Sequence, residues 1–272
     1  MTEEPASVLG DLLALEPVAP DTYRARQRAE VPFGPGRLFG GQVASQALRA
    51  ATCTVEAGHA VNSLHAYFLR PGRFGVPVDY VVDRIRDGRS FTTRRVVALQ
   101  EGDAILNLDA SFHLDEPGEE HQPPSPVAAA GPPGVGPRPL FPPMRRDRPV
   151  EMREAAHARP GVRAVWVRVP GRLPDDPSLH ACLLTFLSDM GPVGVVSGVL
   201  EAPRGSRMMA SLDHCMWFHH PVRADEWLLY ELEAVATARA RGVARGSLWT
   251  AEGVLAVTLV QEVLARPRQP LA

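Results

Sequence analysis

The chain has 272 residues and is 45% apolar, enough for two domains of about 130 residues with sizeable cores. Its net charge of −2 gives no basic surface for nucleic acid or an anionic membrane. All 29 basic residues are arginine, which excludes Schiff-base and PLP chemistry and the Walker-A phosphate loop, since each needs a lysine.

The chain opens on Met1-Thr2-Glu3-Glu4, acidic and without the basic, then apolar, start of a signal peptide. No apolar run approaches the roughly 20 residues of a membrane-spanning helix. Gln269-Pro270-Leu271-Ala272 at the other end carries no peroxisomal or retention signal. The expectation is a soluble, cytoplasmic protein without membrane insertion. Cys53, Cys182 and Cys215 are too few and too scattered for a disulfide framework or zinc site.

Gly41–Ala51 is Ala-rich, with Val43, Ala47 and Ala50 or Ala51 on one helical face, and is predicted to be a helix. Four strands are predicted after it: Leu64–Leu69, Val78–Arg84, Thr92–Gln100 and Ala104–Phe112. Pro71-Gly72, Asp87-Gly88 and Glu101-Gly102 supply the turns. Residues 117–149 then hold eleven prolines and few aliphatic side chains, which reads as an extended, exposed linker. Beyond it, Leu183–Met190 is a predicted helix, and Ser211–Phe218, Trp227–Ala234, Val243–Trp249 and Val254–Leu264 are predicted strands.

The two halves repeat one another. Tyr67-Phe68-Leu69-Arg70-Pro71 returns 150 residues later as Trp217-Phe218-His219-His220-Pro221, and at that offset Tyr80 meets Tyr230 and Asp83 meets Glu233. At an offset of 151, Arg94 meets Arg245 and Glu101-Gly102 meets Glu252-Gly253. The organisation is therefore an N-terminal unit, 1–116, a linker, 117–149, and a C-terminal unit, 150–272. Each unit is one helix followed by an antiparallel meander, an α+β arrangement in which the sheet wraps the helix. Two side by side would form one long sheet.

The chain has no G-x-S-x-G elbow, phosphate-binding glycine loop or H-E-x-x-H pair. His219 and His220 are strand neighbours that point to opposite faces, so no metal site is expected. The candidates for chemistry are polar residues on apolar faces. Gln261 shares a strand face with Val257, Leu259 and Val263, and Asp189 closes the apolar segment Leu183–Met190. Either group is costly to bury without a partner; the bland readings are a satisfied core amide and a surface carboxylate. In the repeat, Gln261 matches Ala110, which suggests a working second copy and a silent first one.

Several motifs in order resemble bacterial acyl-CoA thioesterase II. They are Phe39-Gly40-Gly41-Gln42, the strand His65-Ala66-Tyr67-Phe68-Leu69-Arg70-Pro71-Gly72, the turn Arg86-Asp87-Gly88-Arg89-Ser90-Phe91, and Asp213-His214-Cys215-Met216-Trp217-Phe218-His219. The likeness spans the chain apart from the linker and residues 191–207. It implies a double hotdog fold and hydrolysis of medium- to long-chain fatty acyl-CoA without a cofactor. It also implies a catalytic trio of Asp189, Ser211 and Gln261, in which Asp189 is the general base and the other two hold a water. Gly40 and Gly41 are candidates for substrate binding at a helix N-terminus, a tight helix start being the plainer reading. The expected partner is acyl-CoA and the expected assembly a homo-oligomer. Two other readings are an acyl-CoA-binding module with a decayed site and a hotdog enoyl-thioester hydratase using Asp213-His214. The second is weakened because those neighbours face opposite ways along a strand.

Overall fold

The computed structural model describes residues 5–25, 36–131, 150–156, 161–201, 203 and 205–268. Helix α1 (Pro5–Leu12) and strands β1 (Glu16–Ala19) and β2 (Thr22–Ala25) come first, followed by helix α2 (Gly40–Thr52). Strands β3 (His59–Phe68), β4 (Val78–Asp87), β5 (Phe91–Gln100) and β6 (Asp103–Leu114) complete the first half. After the short helix α3 (Val127–Ala130) come β7 (Glu151–Glu154), β8 (Val162–Arg168), helix α4 (Pro177–Ser188) and helix α5 (Pro192–Gly198). The chain then runs through β9 (Arg207–Ser211), β10 (Asp213–Phe218), β11 (Leu228–Ala238), β12 (Arg241–Thr250) and β13 (Leu255–Pro267).

All the strands belong to one antiparallel sheet, ordered β1-β2-β4-β5-β6-β3-β10-β13-β12-β11-β8-β7, with β9 paired to β13. Outward from the β3–β10 seam, the two halves show the same succession of strands. At the seam Leu64 pairs with Met216 and Ala66 with His214. Alternation sends Leu106, Leu108 and Ala110 of β6, and Val257, Leu259 and Gln261 of β13, to the buried side. Helices α2 and α4 cover that side. They run antiparallel: Gly41 at the start of α2 bonds Asp189 just past α4, and Arg49 late in α2 bonds Ser178 at the start of α4. Leu48, Leu183, Phe186 and Leu187 are buried there, at about 1.5–3 kcal/mol each.

The ladder corrects one part of the repeat. Tyr80 pairs with Ala98 and Tyr230 with Leu248, so β5 and β12 correspond at an offset of 150. Arg94 therefore corresponds to Ala244, and Arg245 to Arg95; Arg94 and Ala244 are buried, while Arg95 and Arg245 are exposed and paired with Asp109 and Glu233. Strands β6 and β13 correspond at 151, which keeps Gln261 on Ala110.

Other expectations change as well. The predicted strand Ser211–Phe218 is two strands, β9 and β10, broken at Leu212. The first part of the proline-rich stretch is not a free spacer. Gln122 is bonded to Gly253 and Leu255, and Val127 and Ala130 pack on Trp166, Leu229 and Trp249 on the outer face of the sheet. Residues 132–149 lie outside the described residues. Pro177–Gly198 also departs from the expectation of no long apolar run. It spans 22 residues and contains an 18-residue window with a mean hydropathy of 1.5, long and apolar enough to cross a membrane by length and composition. The fold buries 72% of that window, which serves as core. Helix α1, the short strands β1, β2, β7 and β8, and helix α5 are additions to the predicted elements.

Candidate active site

The end of α4 places the central carboxylate. Asp176 caps the start of that helix by accepting from the Ser178 amide at 2.9 Å, and Pro177 follows in the first turn. Twelve residues of helix end at Ser188, and Asp189 is the C-cap. This is an unfavourable place for a negative charge, because it faces the negative end of its own helix dipole. The start of α2 compensates. Its N-cap is Phe39, which makes no side-chain cap bond, and the Gly41 amide donates to Asp189 Oδ2 at 2.8 Å.

The two glycines are required by this approach. A Cβ on Gly40 would lie 2.9 Å from Asp189 Oδ2 and 2.9 Å from the Phe68 ring. On Gly41 it would meet the Phe39 ring at 2.6 Å, the Phe186 carbonyl at 2.8 Å and Asp189 Cβ at 3.0 Å. Both helix start and carboxylate contact therefore depend on bare backbone.

The sheet supplies the other two groups. Gln261 Nε2 donates to Asp189 Oδ1 at 3.0 Å and to Ser211 Oγ at 2.6 Å, and Ser211 Oγ donates to Asp189 Oδ1 at 3.3 Å. The structure thus brings Asp189, Ser211, Gln261 and Gly41 together. Gly40 lies beside them without a hydrogen bond to the carboxylate among the described contacts. Burial pushes the Asp189 carboxyl above the usual aspartate range; His214 and the donors Gln261, Gly41 and Ser211 oppose that shift.

A β-bulge explains how Ser211 reaches the site. Ser211 pairs with Val263, but Cys215 pairs with Val260, so one extra residue sits between them. Asp213 Oδ1 accepts the Glu262 amide at 2.6 Å, replacing a ladder bond in that stretch. Without the extra residue, Ser211 and His214 would face opposite sides of the sheet. With it, both point inward.

Sequence reading missed His214 as a member of this cluster. It is fully buried opposite Gln261, with Nδ1 2.6 Å from Gln261 Oε1 and Nε2 2.7 Å from Ser188 Oγ. Burial holds its imidazole below the ordinary range, in the neutral form. The available signal was its place in Asp213–Phe218: His214 alternates with Met216 on the inner face. Asp213 and His214 face apart and have separate partners, so they do not form a hydratase pair. Among the described residues, no group of three or more His, Cys, Asp or Glu side chains could hold a metal.

Two equivalent helix-wrapped units sharing one antiparallel sheet, with polar groups meeting where one unit's helix starts and the other's ends, define a double hotdog protein. The chain matches the acyl-CoA thioesterase N-terminal domain over residues 29–113 and the acyl-CoA thioesterase C-terminal domain over residues 115–265. It is similar to acyl-coenzyme A thioesterase 8 of Mus musculus, at 37% identity over 94% of this chain and 88% of that protein. It is also similar to acyl-CoA thioesterase 2 of Haemophilus influenzae, at 31% identity over 94% of this chain and 96% of that one. Among solved structures, an acyl-CoA thioesterase II (TesB2) from Mycobacterium marinum superposes with a TM-score of 0.84 at 35% identity, covering 97% of this chain and 99% of the other. The chain belongs to the acyl-CoA thioesterase family, and its reaction is hydrolysis of acyl-CoA thioesters.

Proposed function

We propose that the chain hydrolyses medium- to long-chain fatty acyl-CoA with a water activated at Asp189. The observation that carries this reading is the convergence of Gly41 N–H, Ser211 Oγ and Gln261 Nε2 on one buried carboxylate. Asp189 accepts a proton from water as the water oxygen attacks the thioester carbonyl carbon. Ser211 and Gln261 fix the direction of attack. The positive end of the α2 dipole, whose Gly41 N–H is held by Asp189, lies beside the reacting centre and favours the oxygen that gains negative charge. Collapse of the tetrahedral intermediate breaks the carbon–sulfur bond, and the CoA sulfur takes the proton from Asp189. The fatty acid leaves and the carboxylate is restored.

Phe39 and Phe68 beside the two glycines offer an apolar flank that favours a fatty acyl group over a polar one. Domains at 1–116 and 150–272, a cytoplasmic location and a homo-oligomeric assembly complete the proposal. Thiol release from a series of acyl-CoA esters of increasing chain length, followed with a thiol reagent, tests the function. The expected result is release that is greatest at medium to long chains. Binding of these esters without thiol release would instead identify an acyl-CoA-binding module.

A further inference from the structure

We infer that His214, held by Ser188, is a positioning residue that aims the Gln261 amide at Asp189 and Ser211. This rests on the reading of Asp189, Ser211 and Gln261 given above.

The chemistry of the groups sets the direction of each bond. Asp189 Oδ1 accepts, so the nitrogen of the Gln261 amide faces it and Gln261 Oε1 points the other way, toward His214. A carbonyl oxygen can only accept. The imidazole nitrogen 2.6 Å from it, Nδ1, therefore carries the hydrogen. Nε2 of the neutral ring is left as an acceptor, and the Ser188 hydroxyl lies 2.7 Å from it. Ser188 is itself fixed, being the last residue of α4, with its carbonyl bonded to the buried Tyr230 hydroxyl. His214 thus donates to Gln261 and Gln261 to the carboxylate, while the single Ser188 hydrogen is shared between His214 Nε2, at 2.7 Å, and the Thr185 carbonyl, at 2.9 Å.

This anchors a long side chain at its far end. Both hydrogens of Gln261 Nε2 have partners, and its oxygen has one, so the amide has a single satisfied orientation. Hydrogen bonds in series also polarise one another, which makes the Nε2 hydrogens better donors. His214 makes no bond to Asp189 or Ser211 among the described contacts, so its effect passes through Gln261.

The first half shows that the fold itself does not require this group. The position equivalent to His214 is Leu64, fully buried in β3 beside Ala110, the equivalent of Gln261. An apolar pair fills the same topological place.

The test compares His214→Phe and His214→Asn in the wild-type and Gln261→Ala backgrounds, with the full-length enzyme and palmitoyl-CoA. Phe keeps the ring and removes both bonds; Asn places an amide nitrogen close to Nδ1. His214→Phe is expected to lower kcat at least about tenfold with KM within about twofold, and His214→Asn to recover most of that loss. In the Gln261→Ala background His214→Phe should cost less than about threefold, because the group it positions is gone. Unchanged kcat in His214→Phe would overturn the inference, and so would the same fold loss in both backgrounds. Should His214→Phe fail to fold, nitrogen-resolved NMR of the wild-type imidazole decides. The signal absent from His214→Asn is expected to be the Nδ1–H tautomer, and an Nε2–H tautomer would overturn the inference. Asp189→Asn run alongside separates the two readings. If that variant is inactive while His214→Phe is fully active, only the role of His214 falls; if Asp189→Asn is active, the hydrolytic reading falls.

Discussion

The two halves share their strand succession and even the bulge beside the seam, yet they fill one surface in opposite ways. In the first half Val61, Leu64 and Ala110 occupy the inner face; at the equivalent places the second half has Ser211, His214 and Gln261. Strand β3 shifts register between Val61 and Ser63, and β9 passes to β10 with the same one-residue slip. The bulge therefore belongs to the fold and was available for re-aiming a side chain, but only the second half placed a hydroxyl where it points. The helix starts differ in the opposite sense. That of α4, from the second half, is closed by the side chain of Asp176. That of α2, from the first, has no side-chain cap and donates to Asp189. The first half contributes a helix start and the second the side chains, so one site forms where symmetry would allow two.

Asp189→Asn puts the largest strain on that division. It keeps the shape and removes the base, and kcat for thiol release should fall at least about a hundredfold. Near-normal turnover would mean that the second half is not the working one. Gln261→Ala gives β13 the residue that β6 already has. It and Ser211→Ala should each lower kcat by less than the Asp189 change, and the double variant should lose less than the product of the two factors. Independent losses that multiply fully would argue that the two groups do not act together.

Gly41→Ala asks whether the first half contributes its helix start. Its Cβ would meet the Phe186 carbonyl at 2.8 Å and Asp189 Cβ at 3.0 Å. A loss of about 1–3 kcal/mol in denaturant unfolding is expected, with a clear fall in kcat. An unaltered enzyme would show that α2 need not approach Asp189 closely. The pH profile is a gentler probe. Burial raises the Asp189 pKa, so the basic form is lost as pH falls through that raised value. The acid limb of kcat should have its midpoint above the ordinary aspartate value of about 3.9. A midpoint at or below that value would mean that another group limits the rate. Asp176→Ala should have the smallest effect on turnover, none being expected. It should cost about 0.5–2 kcal/mol of stability as a lost helix cap, read from chemical denaturation. A fall in kcat comparable to that of Gly41→Ala would give both helix starts a catalytic part.

Much of this was readable before the fold was known. The helices at Gly41–Ala51 and Leu183–Met190 and most long strands follow from periodicity and turn residues. Gln261 stood out as an amide among Val257, Leu259 and Val263. The parts that were hidden have particular causes. The bulge at Leu212 changes side-chain parity in the middle of an otherwise regular strand, so alternation could not say where Ser211 points. His214 looked idle because its partners Ser188 and Gln261 lie 26 and 47 residues away. Arg94 was matched to Arg245 by residue type, although its ladder equivalent is Ala244. The short edge strands β1 and β7 have four residues each, too few to show a period.

The contact between Gly41 and Asp189, which are 148 residues apart, has a genetic consequence. Every group of the site described here comes from a single polypeptide. Two defective alleles, one altered at Gly41 and the other at Gln261, should therefore fail to complement when expressed together, because neither chain carries an intact set. In an ancestor made of separate half-length chains, mixing the same two lesions would have restored working pairs. A fused chain has no such exchange, and its first half is free to carry the apolar Val61, Leu64 and Ala110 where the second half carries the site's side chains.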